Sequence, residues 1–173
     1  MEEQVILVDS LDHPLGVLDK MEVHTLGLLH RAFSVFIFNS NGELLLQQRA
    51  HDKYHSGGKW TNTCCSHPRP FEETEHAAHR RLEEEMGLVC DLEYGFNFTY
   101  KAELDNQLIE HELDHVYFGS SDQLPIINKN EVASFRYMTL EDLAADLKKD
   151  PNSYTAWLKI CFDNIIDFKN KAS

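Results

Sequence analysis

Cations are scarce in this chain. Its 173 residues hold 16 Lys and Arg against 29 Asp and Glu, a formal net charge of -13 at pH 7. A surface of that sign repels nucleic-acid phosphates and anionic lipid headgroups, so non-specific binding to either is excluded. A small anion held by a few clustered cations is still allowed. Long apolar runs are lacking as well, since none approaches the ~20 residues of a membrane span. The opening MEEQVILVDS is acidic and too poor in apolar residues for a signal peptide. Only four cysteines occur, Cys64, Cys65, Cys90 and Cys161. They form no disulfide framework, and chain neighbours rarely bridge each other, so the chain reads as a reduced, cytoplasmic protein. Repeats, low-complexity tracts and linkers are missing too. What is left is one soluble globular domain over residues 1–173, 42% hydrophobic and able to build a sizeable core.

The apolar runs that are present have the length of strands and helices. FSVFIF (33–38) and ELLLQQR (43–49) are β-rich and flank NSNG, whose Asn41-Gly42 is a hairpin signal. LEYGFNFTYK (92–101), IEHELDHVYF (109–118) and SFRYM (134–138) read as further strands. EETEHAAHRRLEEEMG reads as a helix that stops at Gly87. Thr139 with Asp142 starts a second helix running to about Lys149, with Pro151 after it, and a long helix spans Tyr154 to about Asn170. Strands with helices on either side give an α/β (α+β) layered domain with a mixed β-sheet flanked by helices.

At ~100° per residue, Phe71, Ala78, Leu82 and Met86 form the core stripe of the central helix. Arg81, Glu84 and Glu85 share one flank, with Glu85 bordering the stripe. On an isolated helix these would be a solvated face held by pairs such as Arg81–Glu85. The spacing of Glu72, Arg80, Leu82, Glu84, Glu85, Gly87 and Leu88, however, resembles the Nudix box, whose clustered glutamates hold a divalent cation that grips a diphosphate. Two positions depart from it. Ser66 replaces its first Gly, and Arg81 replaces the Glu after its Arg. A carboxylate that would bind magnesium for hydrolysis has become a cation, which binds phosphate oxygens but no metal.

TNTCCSHP (61–68) puts two cysteines just before a histidine. If it is extended, alternation places Cys65 and His67 on one face, and the same rule pairs Glu110 with Glu112. Two adjacent buried carboxylates need a cation between them or a proton on one. With His24 and His30 from HTLGLLHRAF, the set His24, His30, His67, Glu110 and Glu112 suits manganese, magnesium or zinc. Singly, each of these residues is ordinary; jointly they form a site.

GLLHRAFSVFIFN, LLLQQRA, WTNTCCSHP, RRLEEEMG, EHELDHVY and the late Trp157, in that order over nearly the whole chain, are similar to the type I isopentenyl-diphosphate isomerases, a Nudix-fold family. The resemblance implies interconversion of isopentenyl and dimethylallyl diphosphate. It implies that Cys65 and Glu112 are catalytic, with Tyr100 lining the pocket beside Glu112. It assigns a first metal, Mn2+, Mg2+ or Zn2+, to His24, His30, His67, Glu110 and Glu112. A second, Mg2+ on the diphosphate, falls to Glu85 and the Cys65 carbonyl. Lys20, Arg49, Lys53 and Arg81 match the cations around the diphosphate, and Trp157 the aromatic facing the allyl group.

That chemistry suits these residue types. Protonating an unactivated alkene and deprotonating another carbon takes an acid and a base on two sides of a flat substrate. The intervening tertiary carbocation is stabilised by an aromatic face. Two other readings are open at this point, a Nudix diphosphohydrolase and a metal-stabilised binding domain. Arg81 weighs against the first. The spare carboxylates and the lack of a second Cys-rich half-site weigh against the second.

Overall fold

A computed structural model describes residues 3–172. Its centre is β3 (His30–Phe38), buried on both faces, as its unbroken apolar run requires. Along its whole length β3 pairs in parallel with β8 (Ile109–Ser120), from His30↔Glu112 to Phe38↔Ser120. Beyond β8 lies antiparallel β7 (Leu92–Glu103). On its other side β3 meets the short β6 (Cys64–Ser66), with Ser34 opposite Cys65 and Val35 opposite Cys64. The remaining strands are β1 (Gln4–Val8), β2 (Pro14–Asp19), β4 (Leu44–Arg49), β5 (Trp60–Thr61) and β9 (Val132–Met138). β4 touches β3 only at Phe38↔Leu44 and then runs with β9, so the Asn41-Gly42 turn closes a hairpin that splays at once.

Side-chain alternation along β3 divides the core. Phe33, Val35 and Ile37 pack with Cys64 against α2 (Thr74–Met86), through Ala77, Ala78, Leu82 and Met86. Phe36 and Phe38 pack with Val116 and Phe118 against α3 (Leu140–Lys149) and α4 (Ala156–Lys171). The expected layered α+β architecture with a mixed sheet is therefore present. Thr139 caps α3 as expected, its hydroxyl accepting from Asp142 N at 3.1 Å.

One expectation fails. Phe71 is not in the stripe of α2 but before the helix, fully exposed at a positive φ of 66°. The cause is a clamp. Glu72 takes both Arg80 nitrogens, at 2.7 and 2.8 Å, and the Arg69 amide at 2.7 Å, which ties the incoming loop to the helix and turns Phe71 outward. At the other end, Gly87 adopts φ 64°, and a Cβ there would meet Ile126 O at 2.8 Å. That close approach lets Ile126 N and Asn128 N bond the last helical carbonyls, of Met86 and Glu85, and so delivers Glu131 to the site.

A short helix absent from the sequence expectations, α1 (Lys20–Leu26), completes the frame. Asp19 caps it and Gly27, at φ 64°, ends it. Among the described residues no helix is long and apolar enough to cross a membrane.

Candidate active site

Because β3 and β8 run parallel in register, His30 stands beside Glu112, and alternation brings Glu110, Glu112 and Asp114 to the same face. Tyr100 of β7 lies opposite Glu112 and shares that face. β6 lies on the other side of β3 and turns Cys65 to this face while Cys64 points into the core against α2. A cavity of about 110 Å³ results. Its wall includes Cys65, His67, Glu85, Glu110, Glu112 and Trp157.

Glu112 is the hub. It accepts from Tyr100 Oη at 2.7 Å and from His67 Nε2 at 2.9 Å, and His30 Nε2 lies 3.5 Å away. Burial opposes its ionisation, but the bonds and charges of His30 and His67 hold it well below the usual carboxylate range. Burial and the neighbouring Glu112 charge instead push Glu110 up to about 8. Burial likewise raises Cys65 above an ordinary thiol, against the pull of Arg49, so that it holds its proton.

The imidazoles are arranged as ligands. His24 Nδ1 bonds Lys20 O at 2.7 Å and His30 Nδ1 bonds Leu28 O at 2.9 Å. A carbonyl only accepts, so each Nδ1 carries a hydrogen and the inward-turned Nε2 is the atom left for a ligand. His30 Nε2 lies 3.2 Å from His67 Nε2. His24 Nε2 and Glu110 Oε2 are buried with no hydrogen-bond partner among the described residues. One ligand atom from each of His24, His30, His67 and Glu112 falls within 4.8 Å of the others. Unpaired inward lone pairs beside carboxylates are a donor set that fits a divalent cation.

The four cations expected at the diphosphate all line the cavity. Lys20 Nζ pairs with Glu3 at 3.0 Å, Lys53 pairs with Glu131, and Arg81 reaches Glu85, Glu84 at 2.9 Å and Glu131 at 3.4 Å. Arg49 donates to His55 O at 3.2 Å and stands over the Trp157 ring at 5.3 Å. Trp157 is held by its Nε1, which donates to Asn62 Oδ1 at 3.2 Å. Asn62 in turn donates to Val35 O and Cys64 O, at 3.1 and 2.7 Å. Every residue expected at the site is therefore brought to one place, His24 included.

Sequence reasoning missed several neighbours. Asp114 is buried, accepts from Ser34 Oγ at 2.7 Å, and is pushed well above its usual range by burial and by Glu112. The alternation that pairs Glu110 with Glu112 extends to it. Glu3, Gln47, Tyr54, His55 and Glu131 also line the cavity. Gln47 Nε2 donates to Glu85 Oε2 at 2.8 Å and so sets the orientation of that carboxylate.

The NUDIX domain family matches residues 28–158. Solved structures agree on the fold. A Deinococcus radiodurans crystal structure superposes with a TM-score of 0.71 at 20% identity, covering 85% of this chain and 90% of that one. A MutT protein from Methanosarcina mazei Go1 gives 0.68 at 19%, covering 83% and 96%. An isopentenyl-diphosphate Delta-isomerase from Pectobacterium atrosepticum is 55% identical over 165 residues, covering 95% of this chain and 92% of its own length. The chain belongs to the isopentenyl-diphosphate Delta-isomerase family. Two members from Aromatoleum aromaticum are 49% and 54% identical, covering 98% and 96% of this chain. An Aliivibrio fischeri isomerase is 38% identical over the full length of both chains. In this chain α2 carries Arg81 where the Nudix box has a glutamate, and Cys65 and Glu112 stand on β6 and β8.

Proposed function

We propose that this chain interconverts isopentenyl and dimethylallyl diphosphate by a 1,3-allylic proton shift, as a single domain working in a reducing cytoplasm. The observation that carries the reading is one cavity lined by the Cys65 thiol and the Glu112 carboxylate, which stand on strands flanking β3. Cys65 and Glu112 thereby face one substrate from two sides. All four cysteines are free thiols, which supports the reducing compartment.

His24, His30, His67, Glu110 and Glu112 would hold Mn2+, Mg2+ or Zn2+, and Glu85 with the Cys65 carbonyl would hold Mg2+ on the diphosphate. The first ion, when bound, would withdraw charge from Glu112 and so make the group that protonates the alkene more acidic. Around it the chain's residues divide the remaining tasks. Tyr100 fixes Glu112 by donating to Oε2. Cys65 and Glu112 exchange the two protons of the shift, one giving at one carbon and the other taking at another. Trp157 presents its face to the positive charge that develops between them, and its buried setting strengthens that attraction to ~2 kcal/mol.

Lys20, Arg49, Lys53 and Arg81 seat the diphosphate. Three of them already pair with Glu3, Glu85 and Glu131. Those carboxylates need a new partner when phosphate arrives, which a divalent cation carried on the diphosphate would supply. Lys20, Arg49, Lys53, Arg81 and Trp157 contact substrate; Cys65, Glu112 and Tyr100 act on it.

Incubation with isopentenyl diphosphate and magnesium in deuterated water tests the reading. The acid exchanges with solvent, so dimethylallyl diphosphate should form carrying deuterium, read by proton NMR or mass spectrometry, with the diphosphate intact by phosphorus NMR. Cys65→Ala should abolish the product. Released phosphate without isomerisation would overturn the reading in favour of a diphosphohydrolase. No change in either signal with metal bound would favour a binding domain.

A further inference from the structure

His55 is a buried imidazole to which the proton-transfer chemistry assigns no task. It follows Lys53 and Tyr54 in the segment between β4 and β5, and its ring is almost wholly enclosed. The ring stacks on His24, with centroids 5.8 Å apart and planes 29° apart. It also meets the Trp157 ring edge-on at 6.0 Å. Its Nδ1 lies 3.2 Å from Ser56 Oγ. Its Nε2 points at Glu110 Oε1 from 3.7 Å, beyond hydrogen-bonding reach.

The same gap occurs on the other side of that carboxylate, where His24 Nε2 stands 3.8 Å from Glu110 Oε1. One ligand atom from each of His24, His55 and Glu110 lies within 4.8 Å of the others. Two donors each ~2.1 Å from one ion are about 3.0 Å apart when adjacent at a right angle and about 4.2 Å apart when opposite. Separations of 3.7 and 3.8 Å fall between those limits and are too long for hydrogen bonds. His24 Nε2 and Glu110 Oε2 are also among the buried atoms that have no hydrogen-bond partner among the described residues.

We propose that His55 is a ligand of the metal centre, binding through Nε2 beside His24 and Glu110. The inference rests on the metal-centre reading above and extends it by one donor. His24 then joins two donor groups, one with His30, His67 and Glu112 and the other with His55 and Glu110. A donor set richer by one imidazole favours borderline ions such as Zn2+, Co2+ or Mn2+ over Mg2+. Through its backbone carbonyl His55 also takes Arg49, so the ligand and the diphosphate cation are neighbours in one short segment.

Cobalt-loaded protein provides the test. Each histidine bound through Nε2 carries an exchangeable Nδ1 proton that a paramagnetic ion shifts far from the protein envelope in proton NMR. The wild type should show four such signals, and His55→Gln three. Cobalt affinity in His55→Gln, measured by competition with a chromophoric chelator, should fall about tenfold or more. His55→Asn should repeat both results, with circular dichroism confirming the fold of each variant. Three signals in the wild type, unchanged by the substitution and with unchanged affinity, would overturn the inference and leave the metal centre standing. A wild type that binds no cobalt would overturn both.

Discussion

Tyr100→Phe isolates one hydrogen bond at the hub of the site. The phenyl ring remains in place, stacked on Phe98 at 5.4 Å, so the change is confined to the hydroxyl that donates to Glu112 Oε2 at 2.7 Å. Both partners are buried and the acceptor is ionised, which puts the bond in the range of about 1.5–3 kcal/mol. If that stabilisation serves the proton-transfer step, kcat should fall by about 10–150-fold, at ~1.4 kcal/mol per decade. KM should stay near the wild-type value, because Lys20, Arg49, Lys53 and Arg81 are untouched. Losing a donor to the carboxylate also raises the Glu112 pKa, so the acid limb of the kcat profile should move to higher pH. Initial rates of deuterium incorporation across pH 5–9 give all three quantities. An unchanged kcat, or a loss expressed wholly in KM, would refute the placement of Tyr100 on the reacting carboxylate.

Cys65→Ala should remove nearly all turnover, whereas Cys64→Ala should keep most of it and lose about 1–2 kcal/mol of stability, because Cys64 packs under α2; equal losses of turnover would mean a packing effect. Asn62→Ala leaves Val35 O, Cys64 O and the Trp157 indole without their shared partner, so chemical denaturation should show a loss on the order of 3 kcal/mol. In the metal-free protein Glu110 titrates near 8, above its unfolded value, so its contribution is complete at low pH and is lost as pH rises. His24, raised mainly by Glu110 against the cost of burial, has the same sign. His55 and His67, lowered chiefly by burial, have the opposite sign, but their effect is complete above the unfolded histidine value of about 6.5. Metal-free stability should therefore fall by about 2 kcal/mol from Glu110 alone between pH 6.5 and 8, and a flat denaturation profile over that window would contradict the assignment.

Alternation exposed much of the site in the sequence because both halves of it are strands. Cys65 and Cys64 face opposite layers, and Glu110 and Glu112 share a face, as a period of two demands. The same logic failed at Phe71, where a helical period was extended past the point at which the Glu72–Arg80 clamp ends the helix. α1 went unseen although Asp19 and Gly27 bracket it, since seven residues are too few to display a period. Asn62, Thr61 and Thr63 are fully buried polar residues. Thr63 Oγ1 accepts from Ile37 N at 2.9 Å and donates to Leu45 O at 2.6 Å. Composition gives no sign of such bridges, which exist because β3 and β4 diverge. His55 and Glu131 reach the cavity on loops, where no periodicity marks which side chain turns inward.

Arg81 shows how a phosphate-binding scaffold is turned to another reaction. On one face of α2 it binds Glu84 and Glu85 and reaches Glu131, three carboxylates close enough to share one guanidinium. A glutamate at this position would add a fourth negative charge and would need metal ions to neutralise the group. By the proposed assignment, the helix with arginine holds a diphosphate through its own cation and one magnesium on Glu85. Burial opposes its charge, yet Glu85 and Glu131 raise its pKa far above the usual value, so the cation persists at any working pH. By the same assignment, the carboxylate that acts on carbon, Glu112, stands elsewhere, on β8, at the histidine cluster. Separating the phosphate-gripping helix from the proton-transferring strands lets the diphosphate remain bound and uncleaved while the alkene at its other end is rearranged.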